Sequence, residues 1–358
     1  MSHRVVGFDL ARAYAILGMF IVNFNTVFGS HKANTGLGWF LNLFNGNSST
    51  LFVILAGMGV SLMTNRPHYT PTEQAVLRQR VMRRSWFLFV AGLLLYTWWP
   101  ADILHFYGGY MHIAALLLFV PKRNYLYLAL TSITLFHILL IIIPFETGWN
   151  FDTLTYADFW TPAGFVRNTF YNGWNPIFPW LAYFMLGMWL GRLNWQQPRT
   201  RWWVLGMGAG VLVVVEGIQA LAATGVFGPD LTFYLTADYL PPFLPFMLAT
   251  ASFALILIVV CLTLGDRFAH TRVVRALSLM GQMTLTHYVV HLTLGFLLFV
   301  GLTGHSYTGT ITAQPPEPPA LVLGFALGFY GLSALFSLFW SRRFVHGPLE
   351  TLMRKIAG

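Results

Sequence analysis

Long apolar runs alternate along the chain with short polar joints in which arginine recurs. The runs fall at roughly 8–28, 48–64, 85–100, 102–120, 124–144, 175–191, 202–223, 242–264, 276–302 and 320–341. Most are long enough, as helices, to cross a hydrocarbon layer of about 30 Å. They predict an all-α fold: a polytopic transmembrane helical bundle of about ten helices, forming a single domain over 1–358.

The polar joints orient this bundle. With the N-terminus inside, alternate joints hold Arg4; Arg66, Arg78, Arg80, Arg83 and Arg84; Lys122 and Arg123; Arg192, Arg199 and Arg201; Arg267, Arg272 and Arg275; and Arg342, Arg343, Arg354 and Lys355. That is 18 of the 21 basic residues. The opposite side holds Lys32 and Arg167, and Arg12 lies within the first run. Lysine and arginine resist translocation against the membrane potential, so both termini are expected in the cytoplasm. One missed helix would invert every later joint and scramble the bias.

Composition agrees. Of 358 residues, 56% are hydrophobic and 9% charged, whereas a water-facing surface needs about a quarter charged residues. The net charge of +9 is explained by basic joints beside anionic headgroups, so no nucleic-acid partner is expected. The single cysteine, Cys261, excludes an intramolecular disulfide framework. Met1-Ser2-His3-Arg4 leads straight into a long span, without the pattern of a removable signal peptide.

Ionisable residues inside a bilayer are costly, so each one marks candidate chemistry. Asp9 and Arg12 share a face at the start of the first helix. They form either a buried ion pair or an anion site in which Asp9 orients Arg12. Asn23 and Asn25 follow, then Ser30, His31 and Lys32. A histidine near neutral pH can take a nucleophile's proton, and an asparagine amide can hold an oxyanion. Asp102, His105 and Tyr107 open the fourth run, and His112 falls on the face of His105. A carboxylate beside an imidazole fixes its tautomer, which serves catalysis, a metal site or plain helix packing. His287 and His291 stand one turn apart, but no glutamate adjoins His287 and no third ligand is specified. Interhelical hydrogen bonding is the expected role there, and no metal is expected. His137 and Glu216 have no assignable partner. The outer stretch 145–174, with Trp149, Trp160, Tyr171 and Trp174, reads as an interfacial aromatic belt or as a platform on which a sugar ring stacks.

Five blocks, in order, resemble the YeiB-type bacterial membrane proteins. Phe8-Asp9-Leu-Ala-Arg12-Ala with Gly18 and Asn23 resembles their "LDxxRG…N" opening, and Leu51 to Gly59 resembles "LFxxLFGxG". Arg83-Arg84 followed by Ala101-Asp102-Ile-Leu-His-Phe-Tyr107 is similar to "RR…GDILxxY". Gly281 to Tyr288 is similar to "GRMxLTNY", and Gly347 to Arg354 to "GPLEWLxR". Ala13, Ala101 and His287 depart from the pattern; the last suggests a position that needs a hydrogen-bonding side chain. The superfamily includes heparan-α-glucosaminide N-acetyltransferase, whose catalytic domain begins with a similar arginine and asparagine and a histidine in the next loop. With a gap of a few residues, Asn23 and His31 correspond to that pair.

The resemblance implies an acyltransferase of the bacterial inner membrane. It would move an acyl group, acetyl being expected, from cytosolic acyl-CoA to an envelope glycan or small-molecule acceptor. His31 and Asn23 would be catalytic, with His31 as base or acyl carrier. Arg12, Arg83 and Arg84 would meet the phosphates of acetyl-CoA. Asp9, Asp102, His105, Tyr107 and His287 would support substrate or catalytic groups. The rival reading is a transporter or flippase with a proton-coupled histidine–aspartate site. The sequence leaves the acceptor, the acyl length and a monomer-or-homodimer choice open.

Overall fold

The computed structural model describes residues 5–29, 36–66, 68–236, 238–305, 307 and 315–358. Every predicted run is helical within this range, and the fold is an all-α polytopic bundle. Its chain divides into two compact units: Met1–Phe52, Val204–Ala209 and Thr250–Leu352 form the first, and Val53–Trp203, Gly210–Ala249 and Met353–Gly358 the second. The helices are α1 (Val6–Phe28), α2 (Gly36–Asn42), α3 (Asn47–Met63), α4 (Pro71–Tyr96), α5 (Leu104–Leu116) and α6 (Lys122–Ile142). A two-strand hairpin, β1 (Trp149–Asn150) and β2 (Thr155–Tyr156), precedes α7 (Pro162–Arg167). Then come α8 (Ile177–Leu190), α9 (Pro198–Ala223), α10 (Pro229–Leu235), α11 (Leu244–Phe268) and α12 (Arg272–Gly281). The chain ends with α13 (Thr284–Val290), α14 (Phe296–Thr303), α15 (Pro319–Trp340) and α16 (Pro348–Ala357).

Among the described residues, seven helical segments are long and apolar enough to span a membrane. The three other expected spans differ for local reasons. Helices α5 and α8 have 13 and 14 residues. Helix α4 begins well before position 85, at Pro71, where a capping box starts it. The Thr70 hydroxyl accepts from the Glu73 backbone N–H at 3.2 Å, and the Glu73 carboxylate accepts from the Thr70 N–H at 2.9 Å. Its first fourteen residues therefore carry Arg78, Arg80, Arg83 and Arg84 on a polar arm.

In the first unit, α1 packs on α12 and α15 and contributes a largely buried face that includes Ile16, Phe20 and Phe24. In the second, α4 packs on α5, and α6 on α8. There α3 and α8 meet backbone to backbone: a Cβ on Gly57 would collide with Phe184 O, and one on Gly187 with Ile54 O. Such small-residue contacts hold helices together in lipid, where the solvent is as apolar as the side chains. Helices α6 and α9 keep most of their apolar residues outward. Ile141 is 86% exposed and Val213 71%, a liability in water and the normal state of a lipid-facing surface.

The run 276–302, expected as one helix, is broken. Helix α12 ends at Gly281, whose backbone lies against that of Asp9, so closely that a Cβ would strike Asp9 O. The chain turns at Gln282 and Met283, resumes as α13, and passes through a π-helical turn at His291–Gly295. A π turn inserts a residue into the helical register and commonly marks a functional position.

Candidate active site

The N-terminal end of α1 is tied to α12 through Asp9. The Arg12 guanidinium donates to Asp9 Oδ1 at 2.6 Å, while Ser278 Oγ and Gln282 Nε2 each donate to Asp9 Oδ2 at 3.3 Å. Asp9 is 1% exposed and the Arg12 side chain 23%. Charge is thus compensated where the carboxylate is buried, and Asp9 acts as the anchor that joins the two helices. This fits the ion-pair alternative for Asp9; part of the Arg12 side chain remains accessible.

Eleven positions further along α1, about 16 Å at 1.5 Å per residue, Asn23 meets a residue from the far end of the chain. Asn23 Nδ2 lies 2.9 Å from His291 Nε2, and His291 Nδ1 lies 3.1 Å from His287 O. The two bonds define the tautomer: Nδ1 carries the proton and donates to the carbonyl, so Nε2 accepts from the Asn23 amide. His291 is 0% exposed and sits against Phe20 and Tyr288, at ring separations of 4.9 and 5.5 Å. His287 faces another way, its Nε2 2.8 Å from Ser337 Oγ, which in turn donates to Ser333 O. The His287–Ser337 bond links α13 to α15. The two imidazoles point at different partners, and no metal-type group of three His, Cys, Asp or Glu side chains occurs among the described residues.

His31, with Ser30 and Lys32, lies outside the described residues. Asn25 does not share the environment of Asn23: its Nδ2 donates to Asn42 Oδ1 at 3.4 Å.

In the second unit the spacing of Asp102 and His105 does bring them together. Asp102 Oδ2 accepts from the His105 backbone N–H at 3.1 Å and lies 3.2 Å from His105 Nδ1, with both side chains fully buried. His105 Nε2 has no hydrogen-bond partner among the described residues, nor has the Tyr107 hydroxyl. Tyr107 packs beside Tyr110, whose hydroxyl donates to Asn175 O at 2.5 Å. His112 turns elsewhere, donating to Gly108 O and lying edge-on to Trp86. Among the described residues, neither Arg83 nor Arg84 hydrogen-bonds to this group. Arg83 is exposed, and Arg84 donates to Gly358 O at 2.9 Å and to the Met63 sulfur. His137 pairs with the Tyr234 hydroxyl at 2.9 Å.

The stretch 145–174 is a folded cap built around Asn172 and Arg167. Asn172 donates to Phe145 O and Thr147 O and accepts from Tyr156 OH at 2.7 Å. Arg167 holds both oxygens of Asp158, at 2.6 and 2.8 Å, and donates to Tyr156 OH. Burial pushes the Tyr156 phenol above its ordinary value, although Arg167 pulls it down. Trp149 stands edge-on to Trp174 at 5.4 Å, and Trp160 is 65% exposed.

Two family models match the chain. The one described as heparan-alpha-glucosaminide N-acetyltransferase, catalytic, covers residues 4–221, more than half of the length. The one described as a protein of unknown function (DUF418) covers residues 187–358. No curated protein matches. Asn23 falls in the first matched region and His291 in the second, so their hydrogen bond joins residues drawn from both.

Proposed function

Starting from a chain that belongs to the family of the heparan-alpha-glucosaminide N-acetyltransferase catalytic domain, we propose that it is a membrane-embedded acyltransferase of the bacterial inner membrane. It takes an acyl group, acetyl in the simplest case, from cytosolic acyl-CoA and gives it to an extracytoplasmic amine or hydroxyl acceptor. The observation that carries the reading is the held amide of Asn23. One of its two N–H bonds is directed at His291, and the other is left for the oxygen of a thioester carbonyl as it becomes an oxyanion.

In this reading His31 takes the acceptor's proton as the acceptor attacks the thioester carbon. The carbon–sulfur bond breaks, a carbon–nitrogen or carbon–oxygen bond forms, and the proton passes to the departing CoA thiolate. If His31 instead carries the acyl group, CoA is released before acceptor arrives. Arg12, Arg83 and Arg84 add positive charge on the side expected to face the cytoplasm, which draws the anionic donor in. The aromatic cap at 145–174 offers ring surface to a sugar acceptor.

The test is release of CoA thiol from acetyl-CoA by the purified protein, with and without an amine or hydroxyl acceptor. His31→Ala is expected to bind acetyl-CoA and to release no thiol. Wild-type turnover by this variant would refute the role of His31. One observation favours a second reading: Asp102–His105 is a fully buried titratable pair with an orphan nitrogen, as a proton-coupled transporter requires. Thioester cleavage separates the two, because a transporter has no reason to cut acyl-CoA.

A further inference from the structure

The second unit contains a cavity of about 360 Å³, within the range of about 300–1,000 Å³ typical of small-molecule sites. Arg66, His68, Tyr69, Phe119, Lys122 and Arg192 are prominent in its lining, and they come from the α3–α4 joint, the α5–α6 joint and the end of α8. All three joints are on the side expected to face the cytoplasm.

Arg192 is the fixed cation. Its guanidinium donates to Thr64 O at 2.5 Å, to Thr64 Oγ1 at 2.9 Å and to Leu118 O at 3.0 Å. Carbonyl and hydroxyl partners satisfy its N–H groups without cancelling its charge. Lys122 and His68 are exposed and form no ion pair among the described residues. Arg66 has Glu73 at a long 3.5 Å, and Arg78 lies over the Phe119 ring at 5.6 Å. Three permanent cations, Arg66, Lys122 and Arg192, therefore line one cavity, and of these Arg66 has a carboxylate nearby. Like charges so placed repel one another, and a bound anion removes that repulsion.

The cavity also has aromatic walls. The Tyr69 and Phe119 rings both line it and pack on each other, 5.3 Å apart and inclined at 58°, with the Arg66 guanidinium 5.8 Å from the Tyr69 ring centre. Tyr69 is fixed from both sides, its hydroxyl accepting from the Arg66 N–H at 3.0 Å and its carbonyl from Gln74 Nε2 at 3.3 Å. Cations beside ring surface suit a ligand that carries both phosphate and a planar base. A lipid headgroup uses the cations and has no need of the rings.

We propose that this cavity binds a phosphorylated nucleoside, with its phosphates on Arg66, Lys122 and Arg192 and its base against Tyr69 and Phe119. The nucleotide end of an acyl-CoA has this chemistry. The inference rests on the proposed function only for naming that donor.

The experiment is isothermal titration of the detergent-purified full chain with adenosine 3′,5′-bisphosphate and with inorganic phosphate. The nucleotide is expected to bind more tightly than phosphate, and less tightly as salt rises. Lys122→Gln and Arg66→Gln should each weaken it by about tenfold, as loss of a charge-assisted hydrogen bond does. Tyr69→Leu should weaken the nucleotide and leave phosphate unchanged, and Arg272→Gln, exposed at the start of α12, should change neither. Equal affinity for phosphate and nucleotide would overturn the assignment. So would unchanged affinity in both cation variants, or displacement of the nucleotide by phosphatidylglycerol but not phosphatidylcholine nanodiscs. Thioester cleavage with wild-type nucleotide affinity in both cation variants sinks the cavity and leaves the acyltransferase reading intact. Nucleotide binding at the cavity without any thioester cleavage does the reverse.

Discussion

Replacing His291 tests whether Asn23 is merely present or is held for use. His291→Leu keeps an apolar side chain of similar volume among Phe20, Phe24 and Tyr288 but removes the acceptor that now meets Asn23 Nδ2 at 2.9 Å. The imidazole's two hydrogen bonds go, each worth about 0.6 kcal/mol on average inside a bilayer and rarely more than about 1.7. The fold should therefore survive with a slightly lower Tm. Catalysis should suffer more, because an amide free to rotate no longer presents its second N–H to the oxyanion. Loss of one such donor costs about 10²–10³ in rate, so kcat for thiol release should fall by up to that factor while KM for acetyl-CoA changes little.

The decisive measurement is a double-mutant cycle with Asn23→Ala. If His291 acts through Asn23, adding His291→Leu to Asn23→Ala costs no further rate. His291→Gln, which keeps an acceptor oxygen, should recover part of the loss. A purely structural histidine would instead lower Tm by the same amount in both backgrounds and leave kcat untouched. That result, or additive losses of kcat, would refute the positioning role.

Three other outcomes are expected. A reporter fused after Gly358 should read cytoplasmic and one inserted near Asp158 external; a cytoplasmic signal at Asp158 would break the ten-helix arrangement. Gly281→Ala places a methyl against the Asp9 backbone and should cost about 1–3 kcal/mol by overpacking, read as a lower Tm. Gly217→Ala, with nothing within 4 Å of the added carbon, should not lower it. The Thr70 backbone hydrogen bond, followed by its side-chain bond, holds the Glu73 carboxyl below its ordinary value. The α4 cap is therefore fully present above the ordinary glutamate range and is lost as pH falls through the lowered range of this carboxyl. Hydrogen exchange in the first turn of α4, corrected for intrinsic rates, should speed up there in wild type and show no such step in Glu73→Gln.

Periodicity and hydropathy located the helices because a bilayer imposes length and apolarity on every span. The same rule failed where another force took over. Nothing apolar distinguishes Gly281 from its neighbours, yet α12 ends there, at the point where the Asp9 backbone comes too close for any side chain but hydrogen. In the second unit, Asp102 and His105 could be paired from spacing because their contact lies within about one helical turn. Asn23 and His291 are separated by 268 positions, and no local pattern encodes that meeting. The clue was partial: His291 stood one turn from His287 on a helix, and the chain showed that both needed hydrogen-bond partners without showing which. The π turn His291–Gly295 then shifts the register of the residues that follow, an event that helical spacing does not reveal. The basic joints were equally ambiguous. Their sequence positions account for orientation, and in that role arginines are interchangeable. Arg192 is not interchangeable, because its fork satisfies carbonyls at the ends of two different elements, Thr64 and Leu118. That geometry turns an orientation signal into the wall of a cavity, so charge counted along the chain becomes charge concentrated at one site.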